Sequence, residues 1–131
     1  MEMNFLEINN ATFVASEKNK VNNVSFTIKK KGEIVCLLGP SGIGKTTMLR
    51  TIAGFERINK GEIILKDKVI SSNKIHVDPE KRNIALSFQE NSLFPHYTVD
   101  RNIHLGIKEN SQINKNIDSK EIIKILNIEN I

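Results

Sequence analysis

Apolar and polar residues alternate from Phe5 to Ile8 and again through Val24-Ser25-Phe26-Thr27-Ile28, the period-two pattern of strands with one buried face. Between them Ser16-Glu17-Lys18-Asn19-Lys20 reads as a turn, so the simplest arrangement is an antiparallel pair. A continuous apolar run, Ile34-Val35-Cys36-Leu37-Leu38, reads as a buried central strand. Met48-Leu49-Arg50-Thr51-Ile52-Ala53 then carries apolar residues at helical spacing, with Gly54 placed to end the helix. Gly61 to Ile70 predicts two short strands about a tight turn, and the polar stretch Ser71 to Arg82, with Pro79, predicts a loop. Asn83-Ile84-Ala85-Leu86-Ser87-Phe88 reads as a second central strand ending on Gln89, at the strand end where ligand contacts are usual in α/β sheets.

The remainder is shorter in period. Asn91 to Tyr97 is too rich in helix breakers to be helical, and Thr98 is placed to cap a short helix through Ile107. Lys108 to Asn116 is a polar connector. Asp118-Ser119-Lys120-Glu121 has capping-box spacing ahead of Ile122, Ile123, Ile125 and Leu126, so a last amphipathic helix begins near position 119. No internal repeat and no low-complexity segment interrupts this order.

The chemistry concentrates between the first central strand and its helix, in Gly39-Pro40-Ser41-Gly42-Ile43-Gly44-Lys45-Thr46-Thr47, which has the form G-x-x-x-x-G-K-T. A loop that turns into a helix N-terminus presents backbone N–H groups and the positive end of the helix dipole, which suits the phosphates of a nucleotide. Gly39, Gly42 and Gly44 keep side chains off the concave side, and Pro40 must sit where no donor is needed. Lys45 is expected on the β- and γ-phosphates, the Thr46 hydroxyl on Mg²⁺ and Thr47 on an α-phosphate oxygen. A plain strand-to-helix turn would not require this lysine and threonine.

Composition narrows the reading. With 131 residues the chain accommodates one domain rather than two. Its net charge of +4 is spread over scattered lysines, the one run, Lys29-Lys30-Lys31, falls in a turn, and aromatics are few, so no nucleic-acid surface is expected. The single cysteine, Cys36, allows no internal disulfide and fits a reducing compartment. No segment has the length of a membrane span and no leader pattern opens the chain, so a soluble, cytoplasmic protein is expected.

Two sets of residues together support a family resemblance. Gly39 through Arg50, Ile52-Ala53-Gly54-Phe55-Glu56 and Gly61-Glu62-Ile63 resemble the Walker A region of ATP-binding cassette (ABC) transporter ATPases. Lys81-Arg82-Asn83-Ile84, Phe88 through His96 and Thr98-Val99-Asp100-Arg101-Asn102-Ile103 resemble the Q-loop and its flanks in the ATPases of bacterial importers. A kinase or GTPase has no reason to carry this second segment. The resemblance runs from about Leu6 to Ile131.

The resemblance implies an α/β P-loop NTPase core with a mainly parallel sheet, an antiparallel N-terminal subdomain and the start of a helical subdomain. ATP and Mg²⁺ would be bound by Gly39, Pro40, Ser41, Gly42, Ile43, Gly44, Lys45, Thr46 and Thr47, with Lys45 and Gln89 as the catalytic residues. Gln89 would approach the Mg²⁺ and the attacking water, and its loop would contact the membrane subunit. Phe13 is the nearest match to the family's adenine-stacking aromatic; a different gap placement puts Ala15 there, and Phe13 equally fits a core. Phe94 and His96 match the family pattern, as loop packing or as a subunit contact.

The implied protein sits on the cytoplasmic face of the cell membrane, bound to transmembrane permease subunits and pairing with a second ATP-binding subunit across ATP. The signature motif, the Walker B strand and the switch histidine of the family have no counterpart in residues 1–131, which therefore read as the N-terminal portion of such a domain. Alternative expectations are a nucleotide-binding or docking module without turnover, and an inactive truncated remnant.

Overall fold

Strand β1 (Leu6–Val14) organises the fold, and its side-chain phase explains how it stays in the core along its whole length. Leu6 and Ile8 are buried on one face, after which Asn10 takes a φ of 46° and the burial resumes at Ala11 and Phe13. One extra residue thus shifts the alternation so that both halves of the strand face the same way. The pairings with both neighbours shift register at this point. A computed structural model describes residues 4–14, 20–88, 93–105 and 119–128, and it divides the chain into two units, Met1–Leu86 and Ser87–Ile131.

In the first unit, β2 (Lys20–Ile28), β3 (Lys60–Leu65) and β4 (Lys68–Ser72) join β1 in one antiparallel sheet of order β2-β1-β3-β4. The expected N-terminal antiparallel pair is therefore present, longer than its alternation suggested. Between β3 and β4, Lys66 and Asp67 both have positive φ, 48° and 62°, the conformation that matches the twist of a two-residue hairpin. Gly61, at φ 83°, lies so close to β1 at its bulge that a Cβ there would collide with the carbonyl oxygens of Asn9 and Asn10. Helix α1 (Lys45–Ala53) packs against β1, and its Met48 and Ile52 join Leu6, Ile8, Ala11, Phe13, Ile58, Ile63 and Ile70 in one core.

The parallel part of the expected sheet does not form among the described residues. Ile34 to Leu38 pairs with no strand, and Ile34 and Leu38 are each 93% exposed; Leu37 alone of this run packs against the core. Residues 83–88 likewise run without strand pairing, with Ile84 turned to the core. A parallel central strand is stable when strands flank it on both sides and helices cover both faces. The antiparallel sheet supplies neither segment with such neighbours.

In the second unit, α2 (Val99–His104) starts where the sequence places it: the Thr98 side chain accepts from the Arg101 N–H at 3.2 Å. It ends at His104 rather than Ile107, and residues 106–118, including Asp118 of the capping box, lie outside the described residues. Helix α3 (Ser119–Ile125) begins at the expected position.

Candidate functional site

The glycine loop enters α1 through Gly44, whose φ of 106° is left-handed, and whose missing Cβ would otherwise lie 2.7 Å from Val21 Cγ2. Gly42, at φ 81°, makes the turn before it. The first helical bond is Met48 N–H to the Gly44 carbonyl, 2.9 Å. No side chain caps this helix start and no acidic residue lies in its first turn. The first N–H groups therefore have neither an intrahelical acceptor nor a capping oxygen, and the positive end of the helix is uncompensated.

Lys45 leans back over the loop it follows, its Nζ donating to the Gly39 carbonyl at 2.7 Å and the Pro40 carbonyl at 2.9 Å. The ammonium is thereby held at the loop rather than extended into solvent. Pro40, Ser41, Gly42, Ile43 and Thr46 are exposed, and Thr47 is half-buried, its carbonyl accepting from Thr51 Oγ1 at 2.8 Å. These are the donors a polyphosphate needs: main-chain N–H groups, one compact cation and an exposed hydroxyl at the same helix end. Thr46 offers an oxygen of the kind Mg²⁺ takes; among the described residues no group of three His, Cys, Asp or Glu forms a separate metal cage.

One expected site residue stands elsewhere. Phe13 is completely buried in the core, opposite Val21 in the β1–β2 ladder, and offers no ring face on which adenine could stack. It is core because the bulge at Asn10 turns it inward. Gln89 and Ala15 lie outside the described residues.

Arg82 is the residue whose role sequence reasoning missed. It is 1% exposed, and its guanidinium reaches the far end of α1, Nη1 donating to the carbonyls of Thr51 at 2.8 Å and Ile52 at 2.9 Å. Its Nε donates to the Val77 carbonyl at 2.6 Å, and Nη2 lies 3.3 Å from His76 Nδ1. Gly54 caps the helix at φ 98° directly under this group; a Cβ there would meet Arg82 Nε at 2.6 Å. Burial lowers the Arg82 pKa, yet an arginine keeps its charge in proteins. His76 is held below the ordinary histidine value by partial burial first, then by the charges of Arg82 and Arg57. The only legible signal for Arg82 was its place in the Lys81-Arg82-Asn83-Ile84 segment.

In the second unit, Asn102 organises the turn before α2: its Oδ1 accepts from Phe94 N–H at 2.8 Å, and its Nδ2 reaches the carbonyls of Phe94, Tyr97 and Thr98. Phe94, His96 and Tyr97 form a ring cluster, with Arg101 stacked 3.8 Å above the Tyr97 centroid.

Residues 21–131 match the family model described as ABC transporter. The chain is 42% identical over 123 residues to an Fe(3+) ions import ATP-binding protein of Fusobacterium nucleatum, covering 94% of this chain and 32% of that protein. It is 40% identical over 115 residues to a spermidine/putrescine import ATP-binding protein of Bacteroides fragilis, covering 88% and 24% respectively. Among solved structures, a bacterial Atm1-family ABC exporter with ATP bound matches with a TM-score of 0.66 at 26% identity, covering 84% of this chain and 19% of that one. The chain thus spans about a quarter to a third of the length of these curated relatives.

Proposed function

This chain belongs to the ABC transporter family, and on that premise we propose that it is the ATP-binding portion of an importer ATPase, whose full-length form couples ATP binding and hydrolysis to solute uptake. The observation that carries the proposal is the glycine loop at the uncapped start of α1 with Lys45 folded over it. Gly39 through Thr47 hold the phosphates. To meet the β/γ-phosphates, the Lys45 ammonium, which now donates to the Gly39 and Pro40 carbonyls, would turn its donors toward phosphate oxygens. The Thr46 hydroxyl would hold Mg²⁺, with the Gln89 amide proposed as a further ligand, and the ion would supply neutralisation of charge on the phosphate oxygens. Adenine stacks on a residue other than Phe13.

The direction of transport rests on the two curated relatives, both of which carry import in their names. Those names divide between Fe(3+) and spermidine/putrescine at nearly equal identity, so similarity selects no cargo. Permease subunits, a second ATP-binding subunit and a place on the inner face of the cell membrane follow from the same reading; no helix among the described residues is long and apolar enough to cross a membrane. In the full-length protein, Lys45→Ala is expected to abolish ATP-driven uptake while leaving the protein folded. Uptake at the wild-type rate would overturn the proposal.

A further inference from the structure

We propose that Arg82 is a positioning residue for the phosphate loop: it braces the C-terminal end of α1 against the sheet edge and so fixes where the N-terminal end of the same helix presents Lys45 and the loop N–H groups. The inference rests on the phosphate-binding reading of that loop. Three bonds make the brace. Arg82 joins Thr51 and Ile52 of α1 to Val77, and Val77 in turn donates from its N–H to the Ile70 carbonyl of β4 at 3.0 Å. A continuous path of hydrogen bonds therefore runs from the sheet through Arg82 into the helix.

The helix needs such a brace for a physical reason. With only nine residues it is too short to be stable by itself, and the last turn of any helix has carbonyls without intrahelical partners. Here the Gly54 and Phe55 N–H groups close on Arg50 and Thr51, and Arg82 adds a charged fork to Thr51 and Ile52 in a buried setting. A cation at this end also suits the negative pole of the helix dipole. Lysine cannot replace the fork, because its single ammonium cannot span two helix carbonyls and Val77 in one planar array.

The test is a titration of the full chain with ATP and Mg²⁺ by calorimetry, using wild type, Lys45→Ala, Arg82→Met, Arg82→Lys and Ile63→Val, the last as a core change in β3 that removes none of the Arg82 hydrogen bonds. Arg82→Met is expected to weaken ATP binding about tenfold, the equivalent of one charge-assisted hydrogen bond lost at the site. Arg82→Lys is expected to fall between it and wild type, and Ile63→Val to bind as wild type does. If Arg82→Met does not fold, Arg82→Lys decides alone: affinity below wild type supports the brace, and equal affinity overturns it. Equal affinity in a folded Arg82→Met, or an equal loss in Ile63→Val, also overturns it. Should wild type bind ATP no better than Lys45→Ala, the phosphate-site reading itself falls and this inference with it, whereas wild-type binding with an unaffected Arg82→Met brings down the inference alone.

Discussion

Replacing Phe13 by alanine separates a core ring from a nucleotide platform. The side chain is 0% exposed and lies within the cluster that β1, α1 and the hairpin build together. A phenylalanine buries roughly 150–200 Å² of apolar surface, which at about 25 cal/mol per Å² amounts to about 4–5 kcal/mol. Alanine keeps its Cβ contact, while the cavity left behind adds to the loss, so Phe13→Ala is expected to cost about 3–5 kcal/mol. That is a large part of the stability of a domain this size. Phe13→Leu, which nearly fills the space, is expected to cost under about 1.5 kcal/mol. The chain has no tryptophan and one tyrosine, so urea unfolding is followed by far-UV circular dichroism, with ATP affinity measured on the folded Phe13→Leu variant. Unchanged affinity with lowered stability is the expected pair of results. Near-normal stability with strongly weakened ATP binding would refute the reasoning and restore Phe13 as a stacking surface.

Two further outcomes follow from the fold. Gly61→Ala is expected to destabilise the first unit by about 3 kcal/mol or more, since the added Cβ meets backbone oxygens of Asn9 and Asn10 that cannot swing away, at a φ of 83°; a urea midpoint like that of wild type would contradict the close approach of β3 to the bulge. Partial burial first, then the charges of Arg82 and Arg57, hold the His76 pKa below 6.5, with Asp78 partly opposing them. The unfolded chain therefore takes up the proton first, so the stability due to neutral His76 is present above about pH 6.5 and is lost as pH falls through the lower folded value. His76→Gln is expected to flatten the unfolding free energy as pH falls below about 6.5, and an unaltered slope would show that folding does not lower the His76 pKa.

What was legible in the sequence was chemistry carried by neighbours in the chain. The loop and its helix, the Gly54 stop, the Thr98 cap and the tight turn at Lys66-Asp67 each depend on residues within a few positions of one another. The alternation in β1 was readable only to Ile8, because the bulge at Asn10 breaks the period and hides Ala11 and Phe13 from a strict two-residue count. Arg82 was hidden for a different reason: its partners at Thr51 and Ile52 lie 31 and 30 residues away, and no local pattern announces that a loop arginine will be buried. The runs at Ile34–Leu38 and Asn83–Phe88 have the composition of central parallel strands, but composition does not supply the flanking strands that such a run pairs with.

The most direct test of the central claim is equilibrium binding of ATP with Mg²⁺ to the full chain, compared with Lys45→Ala. The glycine loop and the ammonium that folds over it predict saturable binding by the wild-type chain, competed by inorganic triphosphate and lost on removal of Lys45. Binding that is equal in the two proteins, or absent from both while the fold persists, would contradict it.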